Sequence, residues 1–449
     1  MSPLTQNICR FTFINIIVVN TILVLLFSTP IHDTVLNQLK DLLLLKQEFA
    51  DSWEPMKIAF DYTQTEHNQM PVYSDIFFNR KIKFQYPLTS LIIFYPLSII
   101  NNFTGESYLT VLKTFSLVFI VFMLHFVVQI FNLSCTKSMN KSIHHLSKID
   151  VFTRNALLVC LGLTFYPVVK AYSLGQIQVW VNSLFTILIW CWIKEKRKIS
   201  GVIAGIMCLI KPQYAIIFLW GLLRKQWTFT LAFATTALTG SLVSVLLFGI
   251  ANNCNYFSVL SFISKHGETF YSNHSINGLL NRLLFNGDNV NFEIHSFPPF
   301  NGWVYLGTIL SSISLILLSL LPPKKTQEEG STTDLSIVAL TCTIASPIAW
   351  EHHYGILLPI FAYLLPCLLQ KKVFGRKTIP YLCISYLLCS NYFAITKKLA
   401  YASFNLNIIQ SYLFFGGLMV LICLYILRSA KINRNIPTES KALHQLLRK

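Results

Sequence analysis

Five groups of polar residues interrupt the apolar stretches of this chain of 449 residues. An ionisable group among apolar residues is costly, so each of them needs a reason. Asp51, in Ala50-Asp51-Ser52, stands at a break between two short amphipathic segments. A carboxylate there can act as an outward-facing general base, or it can cap the following helix, because Asp-Ser is a favoured helix start. Tyr86-Pro87 follows Arg80, Lys81 and Lys83 and by itself reads as an extended approach to an apolar run, anchored at the interface. Gly175-Gln176 lies close to Lys170 and Tyr172; a glycine turn accounts for Gly175 but leaves the lysine and the glutamine unexplained. Lys211-Pro212 interrupts a short apolar run, where a lysine either snorkels out or meets an anion. The last group is Ser346-Pro347-Ile348-Ala349-Trp350-Glu351-His352-His353-Tyr354, a polar plug between two apolar runs. Its titratable side chains can bind a metal, bind phosphate or carry protons. Adjacent His352 and His353 lack the i,i+4 spacing of a helical metal site, so no metal is expected, and an anion site or an interfacial turn is left.

The elements that hold these groups follow from composition. Hydrophobic residues make up 53% of the chain, charged residues only 12%, and the mean hydropathy is +0.54. Soluble proteins carry about 25% charged residues, so the chain reads as an all-α polytopic membrane protein. The 36 basic residues exceed the 19 acidic ones by 17, a surplus that cytoplasmic loops absorb, and no nucleic-acid partner is needed to explain it. The 11 cysteines contain no Cys-x-x-C pair and mostly sit inside apolar runs, as small hydrophobes.

Apolar runs occur at 11–29, 88–104, 108–133, 155–170, 177–193, 199–222, 227–249, 302–321, 335–350, 355–370, 378–395 and 408–427. They predict about 11–13 transmembrane helices in a single integral membrane domain over residues 1–449. Basic clusters at Lys137–Arg154, Lys194–Lys198, Arg224-Lys225, Lys324-Lys325, Lys371–Lys377 and in the tail 428–449 are expected in the cytoplasm, with loops 30–87 and 250–301 outside. Two runs disturb the alternation. Residues 199–222 lie between basic clusters on the same side yet are too short to cross twice, which predicts a broken hairpin turning at Lys211-Pro212. Run 88–104 would force the Lys137–Arg154 cluster outside if it crossed, so it reads as a partial span or one kinked at Pro96. In the first outer loop, Val35, Leu36, Leu39, Leu42, Leu43 and Phe49 share one face of a helix over 35–50, which predicts an interfacial helix. A second short helix is expected from about Pro55, and segment 322–334 reads as a solvated linker.

Taken in order, the motifs resemble a family. Asp51, Val72-Tyr73, Tyr86-Pro87, Gly175-Gln176, Lys211-Pro212, Asn273-His274-Ser275 with Gly278-Leu279-Leu280 and Arg282, and the Ser-Pro-x-x-Trp-Glu-His-His ending at His353 are similar to the series in membrane glycosyltransferases of the C superfamily. The best resemblance is to the polyprenyl-phosphate-mannose-dependent alpha-(1,2)-mannosyltransferases, glycosyltransferase family eighty-seven, over roughly residues 45–365. It implies the glycosyltransferase-C fold and an inverting transfer of a sugar, most simply mannose, from a polyprenyl-phosphate donor to a lipid or glycan acceptor. It implies Asp51 as the base, with Glu54 and Asp61 as alternates. It also implies Lys211, Arg282, His352 and His353 around the donor phosphate, and Gln176, Tyr86, Asn273 and Glu351 as further substrate-binding residues. The chain departs from the family pattern at Asp51-Ser52-Trp53-Glu54, at Tyr86-Pro87-Leu88 in place of Tyr-Pro-Pro, and at Asn273-His274-Ser275 in place of Asn-Gln-Ser. These departures leave the sugar and the acceptor open.

The chemistry suits the residue supply. A lipid-linked sugar phosphate leaves as a stable anion, so the reaction needs a carboxylate for the acceptor's proton and cations for the developing phosphate charge, and no cofactor. No D-x-D pair and no Gly-rich phosphate loop is present, which disfavours a nucleotide-sugar donor. Rival readings are a related enzyme using lipid-linked arabinose or glucose, a transporter or flippase, and a membrane scaffold. A transporter should show repeats and charges inside several spans, whereas a scaffold has no use for an outer loop rich in Asp, Lys and aromatic residues. The expected location is the bacterial cytoplasmic membrane, among its lipids, with the site on the outer face.

Overall fold

The computed structural model describes residues 3–27, 34–47, 50–65, 70–105, 107–138, 147–323, 330–371, 378–394 and 404–429. Phe49, the clusters at Lys324-Lys325 and Lys372–Lys377, and the tail beyond Ser429 lie outside these residues. Among the described residues the chain is helical, and its one β-type pairing is a bridge between Asn273 and Trp350. Helices α1 (Pro3–Phe13) and α2 (Val19–Phe27) run on through a π-helical stretch. They are followed by α3 (Val35–Leu43), α4 (Trp53–Thr63), α5 (Phe94–Thr104), α6 (Tyr108–Ser138), α7 (Lys148–Leu163), α8 (Tyr166–Ser173) and α9 (Gln178–Ile193). Next come α10 (Arg197–Ile210), α11 (Ala215–Leu223), α12 (Trp227–Phe248), α13 (Ile250–His266) and α14 (Ile276–Leu283). The last are α15 (Gly302–Leu320), α16 (Thr332–Ile344), α17 (Leu357–Lys371), α18 (Thr378–Ser390) and α19 (Tyr412–Ser429).

Five segments are long and apolar enough to cross a membrane: Thr5–Leu23, Tyr108–Thr136, Trp227–Phe248, Gly302–Leu320 and Asn407–Ser429. The pair α7–α8, bent by 52°, makes a sixth, and shorter apolar helices lie at Leu88–Ile100, Gln178–Ile193, Pro212–Leu223, Thr332–Ile344 and Pro380–Ser390. The chain is an all-α, multi-pass integral membrane protein. Helix α16 is buried at every residue from Thr333 to Ile344, so it is packed on all sides by other parts of the chain. Helices α12 and α15 instead turn Leu231, Leu238, Leu246, Leu310 and Leu317 outward, the composition of a lipid-facing surface.

Contacts between helices fix their directions. Trp180 Nε1 donates to Ser116 Oγ (3.0 Å), Ser183 Oγ donates to the Phe119 carbonyl (2.8 Å), and the Phe126 and Trp190 rings meet at 4.9 Å, so α6 and α9 run parallel. Helix α7 returns along α6, with Arg154 Nη2 donating to Asn132 Oδ1 (2.6 Å). The end of α6, the start of α7 and the Lys194–Lys198 cluster therefore share one end of the molecule. Asp334 lies there too, accepting from Arg224 Nε (2.6 Å), Arg428 Nη1 (2.9 Å) and Trp220 Nε1 (2.8 Å). Asp334 is thus buried in a charge cluster, which corrects its assignment to a solvated linker.

Helices α10 and α11 form the expected broken hairpin. A Cβ on Gly201 would fall 2.2 Å from the Phe229 carbonyl oxygen, and one on Gly221 would fall 2.8 Å from both the Phe229 ring and Thr230 Oγ1. Both arms therefore end on the first turns of α12, while Leu209, near the tip, reaches Gly240 further along it. The 14 residues of α10 carry the tip about 20 Å from the basic end. Lys211 leaves helical geometry there (φ −137°, ψ 100°), as the residue before a proline tends to, and a 3₁₀ turn at Pro212–Tyr214 starts the return.

Run 88–104 is a short apolar helix: Leu88–Ile93 is a 3₁₀ segment that continues into α5 and leads to the start of α6, and Thr89 Oγ1 donates to the Leu209 carbonyl beside the hairpin tip. Pro96 stands in the first turn of α5, where proline is tolerated, and kinks nothing. Of the expected 11–13 helices, the one over 199–222 thus turns back. In the first loop, Leu45 at φ +55° follows the end of α3, which is shorter than the 35–50 pattern, and α4 begins at Trp53.

Candidate active site

The first-loop helices, the tip of the α10–α11 hairpin and the Ser346–His353 plug enclose a cavity of about 1730 Å³. Compact small-molecule sites measure roughly 300–1,000 Å³, so this space accepts something larger. Asp51, Tyr86, Lys170, Gln176, Lys211, Glu351, His352 and His353 all line it.

Helix α8 and the turn after it position Asp51. The Asp51 N–H donates to the Leu174 carbonyl (3.0 Å) and the Ser52 N–H to the Gly175 carbonyl (3.3 Å). Gly175 takes φ +62°, a conformation that favours glycine. Gln176 then faces the joint: its Nε2 donates to Asp51 Oδ2 (3.4 Å), and its Oε1 accepts from Ser52 Oγ (2.6 Å) and the Tyr86 hydroxyl (3.3 Å). Ser52 Oγ and the Tyr86 hydroxyl lie 2.8 Å apart. The N-cap of α4 is Ser52, so the Asp51 carboxylate is not engaged in capping that helix. Protein crowded around the carboxylate raises its pKa above the usual carboxylate range; the Gln176 hydrogen bond and the Lys170 charge oppose the rise, and Glu54 adds to it. Burial pushes the Tyr86 hydroxyl up to about 12, so it stays neutral and able to donate.

A cationic group lies at the hairpin tip. Lys211 is only 6% exposed, and its Nζ lies 2.6 Å from His353 Nε2. With the ammonium donating, His353 Nε2 accepts and the ring proton sits on Nδ1. That Nδ1 and His352 Nε2 have no hydrogen-bond partner among the described residues. Asn182 Nδ2 donates to the His352 carbonyl (3.3 Å) and ties the plug to α9. Lys211 thus neither snorkels nor, among the described residues, meets a carboxylate. A buried cation beside two imidazoles with free nitrogens is suited to holding an anion. Next to them, Glu351 Oε2 accepts from the Tyr166 hydroxyl (3.0 Å). No group of three or more His, Cys, Asp or Glu among the described residues is arranged to hold a metal ion.

Two expected site residues do not line this cavity. Arg282 is fully buried; its Nη1 donates to the carbonyls of Thr269 (3.3 Å), Phe270 (3.2 Å) and Asn273 (3.0 Å), and its Nη2 to Ser411 Oγ (2.6 Å). Its guanidinium braces a loop outside the residues that line the cavity, whereas the phosphate-binding expectation places it at the site. Asn273 has a clamping part as well. Its Oδ1 accepts from the Ala349 N–H (2.8 Å) and its Nδ2 donates to the Pro347 carbonyl (3.2 Å), while the His274 N–H donates to the Ala349 carbonyl (2.8 Å). These bonds fix the plug that carries Glu351, His352 and His353. Sequence reasoning missed Ser52, whose hydroxyl joins Tyr86 to Gln176, and Tyr166, which holds Glu351. The signal for Tyr166 was its Tyr-Pro dipeptide at a break between apolar helices, the same signature as Tyr86-Pro87.

Comparison with known proteins agrees with this architecture. The sequence model of glycosyltransferase family 87 matches residues 84–347, more than half of the chain. Over 204 residues the chain is 24% identical to the polyprenol-phosphate-mannose-dependent alpha-(1-2)-phosphatidylinositol mannoside mannosyltransferase of Mycolicibacterium smegmatis. That stretch spans 43% of this chain and 42% of the relative. No solved structure matches the chain. Tyr86, Gln176 and Lys211 fall inside the family match, Asp51 and Glu351–His353 flank it, and the fold brings both flanks to one cavity. With more than half of its length matched, the chain belongs to glycosyltransferase family 87.

Proposed function

We propose that this glycosyltransferase moves a sugar, mannose, from a polyprenyl-phosphate donor to a hydroxyl of a lipid or glycan acceptor, in one inverting displacement. The observation that carries the reading is that Asp51 and the Lys211–His353 pair open into the same cavity. Helix α8 links the two: the carbonyl of Leu174 after its last turn holds the Asp51 backbone, and Tyr166 in its first turn holds Glu351, the neighbour of His352. The relative is named for a polyprenol-phosphate-mannose donor and a phosphatidylinositol mannoside, which supports a lipid-linked donor and a glycolipid acceptor. In the reaction Asp51 takes the proton of the acceptor hydroxyl while its oxygen attacks the anomeric carbon. The bond from that carbon to the phosphate oxygen breaks, and the phosphate leaves with the electron pair. Lys211, His352 and His353 hold its charge. The described basic clusters Lys194–Lys198 and Arg224-Lys225 lie at the end away from Asp51, which supports a site on the outer face of the cytoplasmic membrane.

Purified protein incubated with polyprenyl-phosphate-mannose and candidate glycolipid acceptors tests the reading. Transfer from the lipid donor, and none from a nucleotide-linked mannose, is expected; the reverse preference would overturn it.

A further inference from the structure

A carboxylate beside the anion site has unused hydrogen-bonding capacity. Glu351 is 4% exposed and lines the cavity. Its Oε2 is held by Tyr166, whereas its Oε1 has no hydrogen-bond partner among the described residues. His274 Nε2 lies 3.8 Å from that oxygen, beyond hydrogen-bond length, and both nitrogens of His274 are likewise unpartnered among the described residues. A buried acceptor without a donor destabilises the fold, and a bound hydroxyl would supply one. The wall next to it is aromatic. Tyr166 and Tyr392 stack at 5.3 Å with ring planes 20° apart, and both line the cavity together with Trp350. Apolar ring faces beside an unpartnered carboxylate oxygen match a pyranose, whose C–H face packs on rings and whose hydroxyls donate.

Position indicates which sugar this is. Glu351 directly precedes His352 and His353 in a single 3₁₀ segment, Glu351–Ile356, and the three line the same cavity. Tyr166 lies one helical turn from Lys170 on α8 and about two from Leu174, whose carbonyl holds the Asp51 backbone. The transferred sugar is covalently attached to the phosphate and is attacked from the side of Asp51, so its ring must lie along α8, against Glu351. We infer that Glu351, oriented by Tyr166, is the specificity-determining residue that reads the hydroxyls of the donor sugar. This rests on the lipid-phosphate-sugar reading above.

Equilibrium binding of two lipids to the full chain in detergent separates the parts of the donor headgroup: polyprenyl phosphate and polyprenyl-phosphate-mannose. Wild-type protein should bind the sugar-bearing lipid more tightly. Glu351→Gln keeps the size and still accepts from Tyr166, yet it should lose roughly 10- to 100-fold in affinity for polyprenyl-phosphate-mannose. Its affinity for polyprenyl phosphate should be unchanged, which also shows that the variant is folded. Tyr166→Phe should give a smaller loss with the same selectivity. Discrimination between polyprenyl-phosphate-mannose and polyprenyl-phosphate-glucose should narrow in both variants. Equal losses for both the sugar-bearing and the sugarless lipid would overturn the inference, as would a Glu351→Gln variant that binds both as wild type does but turns over slowly. Wild-type protein that binds the two lipids equally would also overturn it, while leaving the phosphate site standing. Wild-type protein that binds neither would instead remove the donor reading, and this inference with it.

Discussion

Asp51 can act as a base only when ionised, and its surroundings work against ionisation. Crowding by protein raises its pKa and Lys170 pulls it back. Turnover should therefore rise with pH through an acid limb that lies above the ordinary aspartate value of about 3.9. Lys170→Met removes a favourable charge, raises the Asp51 pKa further and should shift that limb to higher pH, measured as kcat/KM against pH. A limb that stays put, or moves down, would show that another group governs it. Arg282 shows what single residues conceal in a sequence. Its type and its place after Asn273-His274-Ser275 suited a phosphate ligand, but terminal guanidinium nitrogens that donate to three carbonyls and Ser411 look the same in sequence as donors facing a cavity. Lys211 was legible because the hairpin around it is too short to let a lysine reach the surface, so its burial followed from length alone.

The α10–α11 hairpin is the element on which the proposed anion site depends, since it carries Lys211 to the depth of His353. Lys211→Met keeps the volume and removes the charge, and should weaken apparent donor affinity by roughly 2–5 kcal/mol if the lysine pairs with a buried phosphate. Unchanged donor affinity would remove Lys211 from the site. The same hairpin fixes sidedness. Cysteines placed at positions 196 and 225 should be labelled from the same side of sealed vesicles, and labelling from opposite sides would show a single crossing instead of a turn. Charge spacing made this hairpin readable, because Lys194–Lys198 and Arg224-Lys225 bracket so few residues. Run 88–104 was not readable in the same way. Its first turn is tied to the hairpin tip by Thr89 donating to the Leu209 carbonyl, a contact across 120 positions that no local pattern announces.

The molecule as assembled has a basic end, locked by Arg224, Asp334 and Arg428, and a cavity toward the other end. Asp334→Asn leaves Arg224 buried without its counter-ion and should lower stability by about 3–5 kcal/mol, read as a fall in thermal midpoint in detergent. A midpoint equal to wild type would mean the cluster is not holding α11, α16 and α19 together. The helical class and the set of basic loops were legible from hydropathy and charge, whereas the convergence of Asp51 with His352-His353 is a long-range property that only the folded chain displays. That convergence is tested most directly by the rate of sugar transfer from polyprenyl-phosphate-mannose in reconstituted Asp51→Asn protein, with donor binding and thermal midpoint measured on the same sample. A general base contributes ~10²–10⁴ in rate, so transfer should fall by that factor while donor affinity and midpoint stay at wild-type values. An Asn variant that binds donor and transfers sugar at the wild-type rate would contradict the assignment of Asp51 as the base.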